Sequence, residues 1–100
     1  MVNKVKTADV VITNPTHFAV AIKYESGVMS APVIVAKGAD FIAAQIREVA
    51  NKNDIPIVEE PPLARALFFN VEIDEEVPEN LFKAVANVLA FVYKLKNKKL

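Results

Sequence analysis

Cysteine is absent from the chain, which excludes disulfides and thiolate metal sites and leaves a reducing compartment such as the cytosol permitted. Glycine is nearly absent too: Gly27 and Gly38 are the only two, too few to build the usual phosphate-cradling loops. Histidine occurs once, at His17, and one imidazole without thiols is a poor basis for a metal centre. No metal or cofactor is therefore expected. Net charge is also missing, because 12 basic and 12 acidic residues cancel. That removes the electrostatic footprint of a nucleic-acid binder, and no nucleic-acid partner is expected. No apolar run approaches the ~18 residues of a membrane span. The start at Met1 carries no charged and hydrophobic signal pattern, so the chain as it stands reads as soluble.

What is present describes a globular body. The chain has 100 residues, of which 53% are hydrophobic and 24% charged, enough to bury one core and too few for two. A single domain over residues 1–100 is expected, without repeat, linker or low-complexity segment. Acids gather between Asp54 and Glu79, and Lys94, Lys96, Lys98 and Lys99 form a basic tail. That tail reads as a solvated helix end, where lysines favour the negative pole of the helix dipole, or as a docking patch.

Val10, Val11 and Ile12 lie in a row within residues 9–13 and predict a short buried strand. Asn14 and Pro15 interrupt it. Residues 18–24 predict a second strand closing at Ser26 and Gly27, and residues 33–36 a third. Gly38 and Asp40 read as a loop and helix cap before a helix over 41–51, where Ile42, Ile46 and Val49 recur at helical spacing. Residues 55–58 predict a fourth strand, so that 33–58 forms a strand, helix, strand unit with its strands parallel and its connection right-handed. Pro61 and Pro62 open a short helix over 63–69, since proline suits a first turn whose N–H groups lack helical partners. An acidic loop over 71–76 follows. Pro78 and Glu79 then open a long final helix to about residue 96. The expected fold is α/β: a four-stranded mixed sheet surrounded by about four helices.

The final helix carries one apolar stripe at Leu81, Val85, Val88 and Val92 and a second row at Phe82, Ala86, Leu89 and Tyr93. One stripe seats a surface helix. The second row is either covered within the fold or left for a partner, and Ala31 with Pro32, in the turn before the third strand, borders any exposed portion.

Asn14, Pro15, Thr16 and His17 hold the chemistry. As a turn they need no explanation, because Asn-Pro commonly starts one. Their order has a second meaning. In an ordinary Asn-X pair the backbone nitrogen of X attacks the side-chain amide and deamidation follows. The nitrogen of Pro15 has no proton to lose, so only the reverse attack remains. The Asn14 side-chain nitrogen adds to the Asn14 carbonyl carbon, closes a five-membered imide and expels the proline nitrogen, which cuts the backbone. A rigid neighbourhood that holds this near-attack pose can supply roughly 7–11 kcal/mol. The developing oxyanion needs donors, from nearby backbone N–H groups or the Thr16 hydroxyl. His17 is the candidate proton carrier, since histidine side chains ordinarily titrate near 6.5. Glu59 and Glu60 precede Pro61 and read as a solvated strand end rather than a site.

The run from Asn14 to Ala21 resembles the self-cleavage region of the FlhB/YscU/SpaS family of type III secretion proteins. Residues 35–40 (Val-Ala-Lys-Gly-Ala-Asp), 61–67 (Pro-Pro-Leu-Ala-Arg-Ala-Leu) and 88–95 (Val-Leu-Ala-Phe-Val-Tyr-Lys-Leu) resemble it in the same order. The likeness covers residues 8–96, and the second and last of these motifs look like the flagellar branch. It implies cleavage between Asn14 and Pro15, after which the pieces stay associated, as a single-turnover event rather than turnover of an external substrate. It also implies control over which proteins an export apparatus accepts, with other apparatus proteins, a hook-length regulator and rod, hook and filament subunits as partners. Family members carry a membrane-embedded portion upstream. If this chain is an excised domain, it belongs at the cytoplasmic face of the inner membrane. The alternative is a free-standing paralogue that docks export substrates without processing itself.

Overall fold

The computed structural model describes residues 1–15 and 17–97. Thr16 of the motif and Lys98 and Lys99 of the tail lie outside the described residues. The three β-branched residues Val10, Val11 and Ile12 belong to β1 (Val10–Asn14) and are fully buried. They are buried because β1 is a central strand, in the order β3-β2-β1-β4, and helices cover both faces of the sheet. β2 (Phe18–Lys23) runs antiparallel to β1, β3 (Val33–Ala39) antiparallel to β2, and β4 (Ile57–Glu59) parallel to β1. The sheet is therefore mixed and four-stranded. β3 and β4 point the same way, as the strand, helix, strand pattern requires, but they occupy opposite edges. Helix α1 (Asp40–Lys52) carries the chain between them.

Alternation along the strands sends side chains to two separate cores. Val10, Ile12, Val20, Ile22 and Ile34 face α2 (Pro61–Asn70) and α3 (Glu79–Asn97). Val11, Ala19, Ala21, Val35 and Ala36 face α1 and an opening 3-10 helix, Val2–Thr7. That opening helix, which buries Val5, has no sequence signature because six residues are too few to show a period. With it the helices number four among the described residues. On α3, Val85, Val88 and Val92 are buried and Leu81 packs against the same core.

Three local expectations are corrected. Gly38 is not in a loop. The ladder with β2 continues three residues beyond the apolar run, pairing Lys37 with Val20, Gly38 with Ala19 and Ala39 with Phe18. Asp40 is not a cap. Ala39 holds that position with no side-chain bond, and Asp40 is the first helical residue, with φ at 49°. β4 is also shorter than its apolar run, because Ile55 donates its N–H to the Ala50 carbonyl at 2.9 Å and so still belongs to the exit from α1.

Gly38 is needed for close approach. A Cβ built there would meet the Ile42 side chain, with Ile42 Cβ at 2.6 Å. Ile42 sits in the first turn of α1, so it cannot withdraw without moving the helix. Gly38→Ala is expected to destabilise the domain by about 2 kcal/mol, in the range of overpacked cores. Urea unfolding with an unchanged m-value is the measurement.

Among the described residues no helix is long and apolar enough to cross a membrane.

Candidate functional site

Asn14 ends β1 and pairs with Phe18, the first residue of β2, so the chain reverses between the two. The His17 N–H donates to the Asn14 carbonyl oxygen at 2.9 Å, which closes the turn. This oxygen is the one that would carry negative charge if the Asn14 carbonyl carbon were attacked. A backbone donor is thus already directed at it, with no side-chain rearrangement needed.

His17 is held at three points. Its N–H is on Asn14, its carbonyl accepts the Asp40 N–H at 2.8 Å, and its Nδ1 lies 3.8 Å from Asp40 Oδ1. The imidazole and the carboxylate are both largely exposed, so the pair adds little to the stability of the fold. Asp40 adopts positive φ at the β3–α1 junction, a conformation that costs a non-glycine residue energy and that clusters at functional sites.

The base of the hairpin is braced. The Phe18 ring stacks on Phe68 with centroids 4.5 Å apart and meets Phe69 edge-on at 5.3 Å. The Arg65 guanidinium lies 5.8 Å from the Phe18 and Phe69 centroids, within cation–π range. Lys37 reaches from β3 to the carboxyl end of α2, donating from Nζ to the Phe68 carbonyl at 2.7 Å and the Val71 carbonyl at 2.9 Å. The negative pole of the helix favours that ammonium. On the other side the Glu60 N–H donates to the Thr13 carbonyl at 3.0 Å, anchoring the end of β1 to the start of α2. Lys37→Met is expected to cost about 2 kcal/mol, because two charge-assisted bonds on partly buried carbonyls are lost while the aliphatic stem remains. Chemical denaturation would check it.

Of the motif, the structure brings Asn14, Pro15 and His17 together in one turn, with Asn14 half-buried and the other two exposed. Asp40, Lys37, Arg65, Phe18, Phe68 and Phe69 were not singled out as site residues from sequence. Asp40 and Lys37 sit in the 35–40 motif and Arg65 in the 61–67 motif, but nothing in their spacing says that these motifs meet at residues 14–18.

The apolar row considered for partner docking divides. Phe82, Ala86 and Tyr93 are exposed on α3, whereas Leu89 is buried with Val88 in the core. Pro32 is also buried, its carbonyl accepting the Val77 N–H at 2.8 Å, and Ala31 is half-buried. Leu89 and Pro32 therefore serve the fold rather than an open face. Although the Tyr93 side chain is exposed, partial desolvation of its phenol raises it from its ordinary pKa, with Asp9 and Tyr24 adding in the same direction. Among the described residues no cluster of three or more His, Cys, Asp or Glu side chains is arranged to hold a metal ion.

A family model described as the FlhB HrpN YscU SpaS Family matches residues 1–92. The flagellar biosynthetic protein FlhB of Bacillus subtilis (strain 168) is 55% identical over 98 residues, which are 98% of this chain and 27% of that protein. The chain thus spans about a quarter of the length of the curated relatives it matches. Among solved structures, the cytoplasmic domain of FlhB from Shewanella putrefaciens superposes with a TM-score of 0.93 at 46% identity, covering 98% of this chain and 75% of that one. An EscU C-terminal domain carrying an asparagine-to-alanine substitution superposes with a TM-score of 0.87 at 33% identity, covering 91% of each chain.

Proposed function

The chain belongs to the FlhB HrpN YscU SpaS family, and from that premise we propose that it cuts its own backbone between Asn14 and Pro15 and thereby serves as a specificity switch in flagellar type III export. The observation that carries this reading is the His17 N–H on the Asn14 carbonyl oxygen at 2.9 Å, at the end of a strand paired on both sides.

The Asn14 side-chain nitrogen attacks its own carbonyl carbon. As the new C–N bond closes the imide, the bond to the Pro15 nitrogen breaks and takes its electron pair with it. One proton leaves the amide and one reaches the proline nitrogen, with the His17 imidazole or water as carrier. Water later opens the imide. The backbone donor at the carbonyl oxygen stabilises charge that exists only after attack has begun, so it favours the transition state over the ground state.

The cut leaves residues 1–14 seated. Val5, Val10, Val11 and Ile12 are fully buried, and each side chain contributes roughly 1.5–3 kcal/mol to holding that segment in place. What changes is local: the turn at 14–17 is released from β1 and its surface is remade. We read this as the change sensed by export substrates of the rod, hook and filament classes and by a hook-length regulator. The reaction is a single intramolecular turnover, and the setting is the cytoplasmic face of the inner membrane within an export apparatus.

Intact mass under denaturing conditions tests the reading. A species beginning at Pro15 is expected, and a folded sample that stays in one piece on long incubation would count against it.

A further inference from the structure

β4 (Ile57–Glu59) closes one side of the sheet, and its outer edge is open. Val11 donates its N–H to the Pro56 carbonyl at 2.9 Å, and Glu60 donates its N–H to the Thr13 carbonyl at 3.0 Å. These bonds, with the register of Val11 to Ile57 and Thr13 to Glu59, turn Pro56, Val58 and Glu60 toward β1. Alternation then turns the N–H and C=O groups of Ile57 and Glu59 outward. Among the described residues no hydrogen bond takes them. The opposite edge is treated differently. There the acidic loop covers β3, with the Ile34 N–H on the Glu75 carbonyl at 3.1 Å and the Asp74 N–H on the Ile34 carbonyl at 2.7 Å.

Two hollows follow the open edge, both bounded by β4 on one side and α3 on the other. The larger, about 740 Å³, is lined by Val58, Glu59 and Glu60, by Leu63 and Ala66 of α2, and by Phe91. The smaller, about 430 Å³, is lined by Ile57, Asp54, Leu95 and Lys96 among others. Phe91 is 52% exposed and Leu95 47%, so the seam presents two large apolar side chains to water. At about 100° per residue, Ala84, Asn87 and Phe91 occupy one flank of α3 and Phe82, Ala86 and Tyr93 the other. The seam is therefore a different surface from the docking face considered above.

We propose that the β4 edge accepts an extended segment of a partner polypeptide as a fifth strand, aliphatic at alternate positions and carrying lysine or arginine. The outward groups of Ile57 and Glu59 supply the main-chain bonds, and the hollows beside Phe91 and Leu95 receive alternate side chains. Charge selects the partner: among the described residues, Asp54, Glu59 and Glu60 line the seam against one Lys96. The same carboxylates oppose edge-to-edge pairing with a second copy, which would set like charges side by side. This surface does not depend on whether Asn14 reacts.

The test uses the full chain, labelled for amide nuclear magnetic resonance, and a short capped peptide alternating valine and lysine. Saturable shifts of the Ile57 and Glu59 amides, with slowed hydrogen exchange at both, are expected. Glu59→Lys combined with Glu60→Lys should weaken binding about tenfold or more. Phe82→Ser, on the other flank, should leave it unchanged. The proposal is overturned if the Ile57 and Glu59 amides do not respond at millimolar peptide, if a valine–glutamate peptide binds equally well, or if sedimentation shows that the shifts come from self-association.

Discussion

Asn14→Ala is expected to leave the chain in one piece, with no Pro15-initiated fragment after incubation times that process the natural sequence to completion. The side-chain amide is the proposed nucleophile, and its tethering to the carbon it attacks corresponds to effective molarities of roughly 10⁵–10⁸ M in well-oriented systems. Removing it returns the bond to ordinary peptide hydrolysis, which no remaining group in the turn accelerates by that route. Asn14 is half-buried at the end of β1, and its backbone, which pairs with Phe18, is unchanged by the substitution. The variant should therefore unfold close to the natural midpoint. A cut that persisted in folded Asn14→Ala would remove the imide route. Pro15→Ala gives a companion signature in the same mass spectrum: restoring a backbone N–H reopens attack on the side-chain amide, so deamidation at Asn14 is expected beside slower cleavage.

The second large effect separates two contributions of His17. His17→Ala removes the imidazole and keeps the backbone N–H, whereas His17→Pro removes both. General acid–base groups contribute 10²–10⁴-fold, and an exposed imidazole for which water can substitute belongs at the lower end, so His17→Ala should slow cleavage by about 10². Losing an oxyanion donor costs about 10²–10³. His17→Pro should be slower than His17→Ala by about that factor, since the 2.9 Å bond to the Asn14 oxygen disappears. Proline is tolerated immediately before a strand, and unfolding curves of the two variants identify any loss of fold. Equal rates for folded His17→Ala and His17→Pro would show that the backbone donor contributes nothing.

The chemistry proposed for Asn14 and Pro15 can be read in the sequence because it is a property of neighbours. An amide side chain and a proton-free leaving nitrogen are adjacent whatever the fold. The partner of His17 was not legible. Asp40 reaches it only because β3 pairs with β2 to its last residue and delivers the start of α1 beside the turn. Pattern reading stopped β3 at Ala36, since Lys37 and Gly38 end the apolar run. In the structure they extend the strand, because Lys37 satisfies the carbonyls ending α2 and Gly38 lets Ile42 pack against the sheet. The apolar rows of α3 left two readings open for a related reason. Spacing places Leu89 with Phe82 and Ala86, but the core facing α3 is wide enough to take Leu89 in as well.

The sequence by itself determined the bond proposed to react, the mixed α/β character and most of the helical and strand segments, since each follows from neighbouring residues or a short-range period. Only the tertiary structure decided which groups surround the bond, which apolar residues remain outside and which strand edge stays open. Those depend on pairings between residues far apart along the chain, and the order β3-β2-β1-β4 that sets them arises from packing two cores on opposite faces of one sheet.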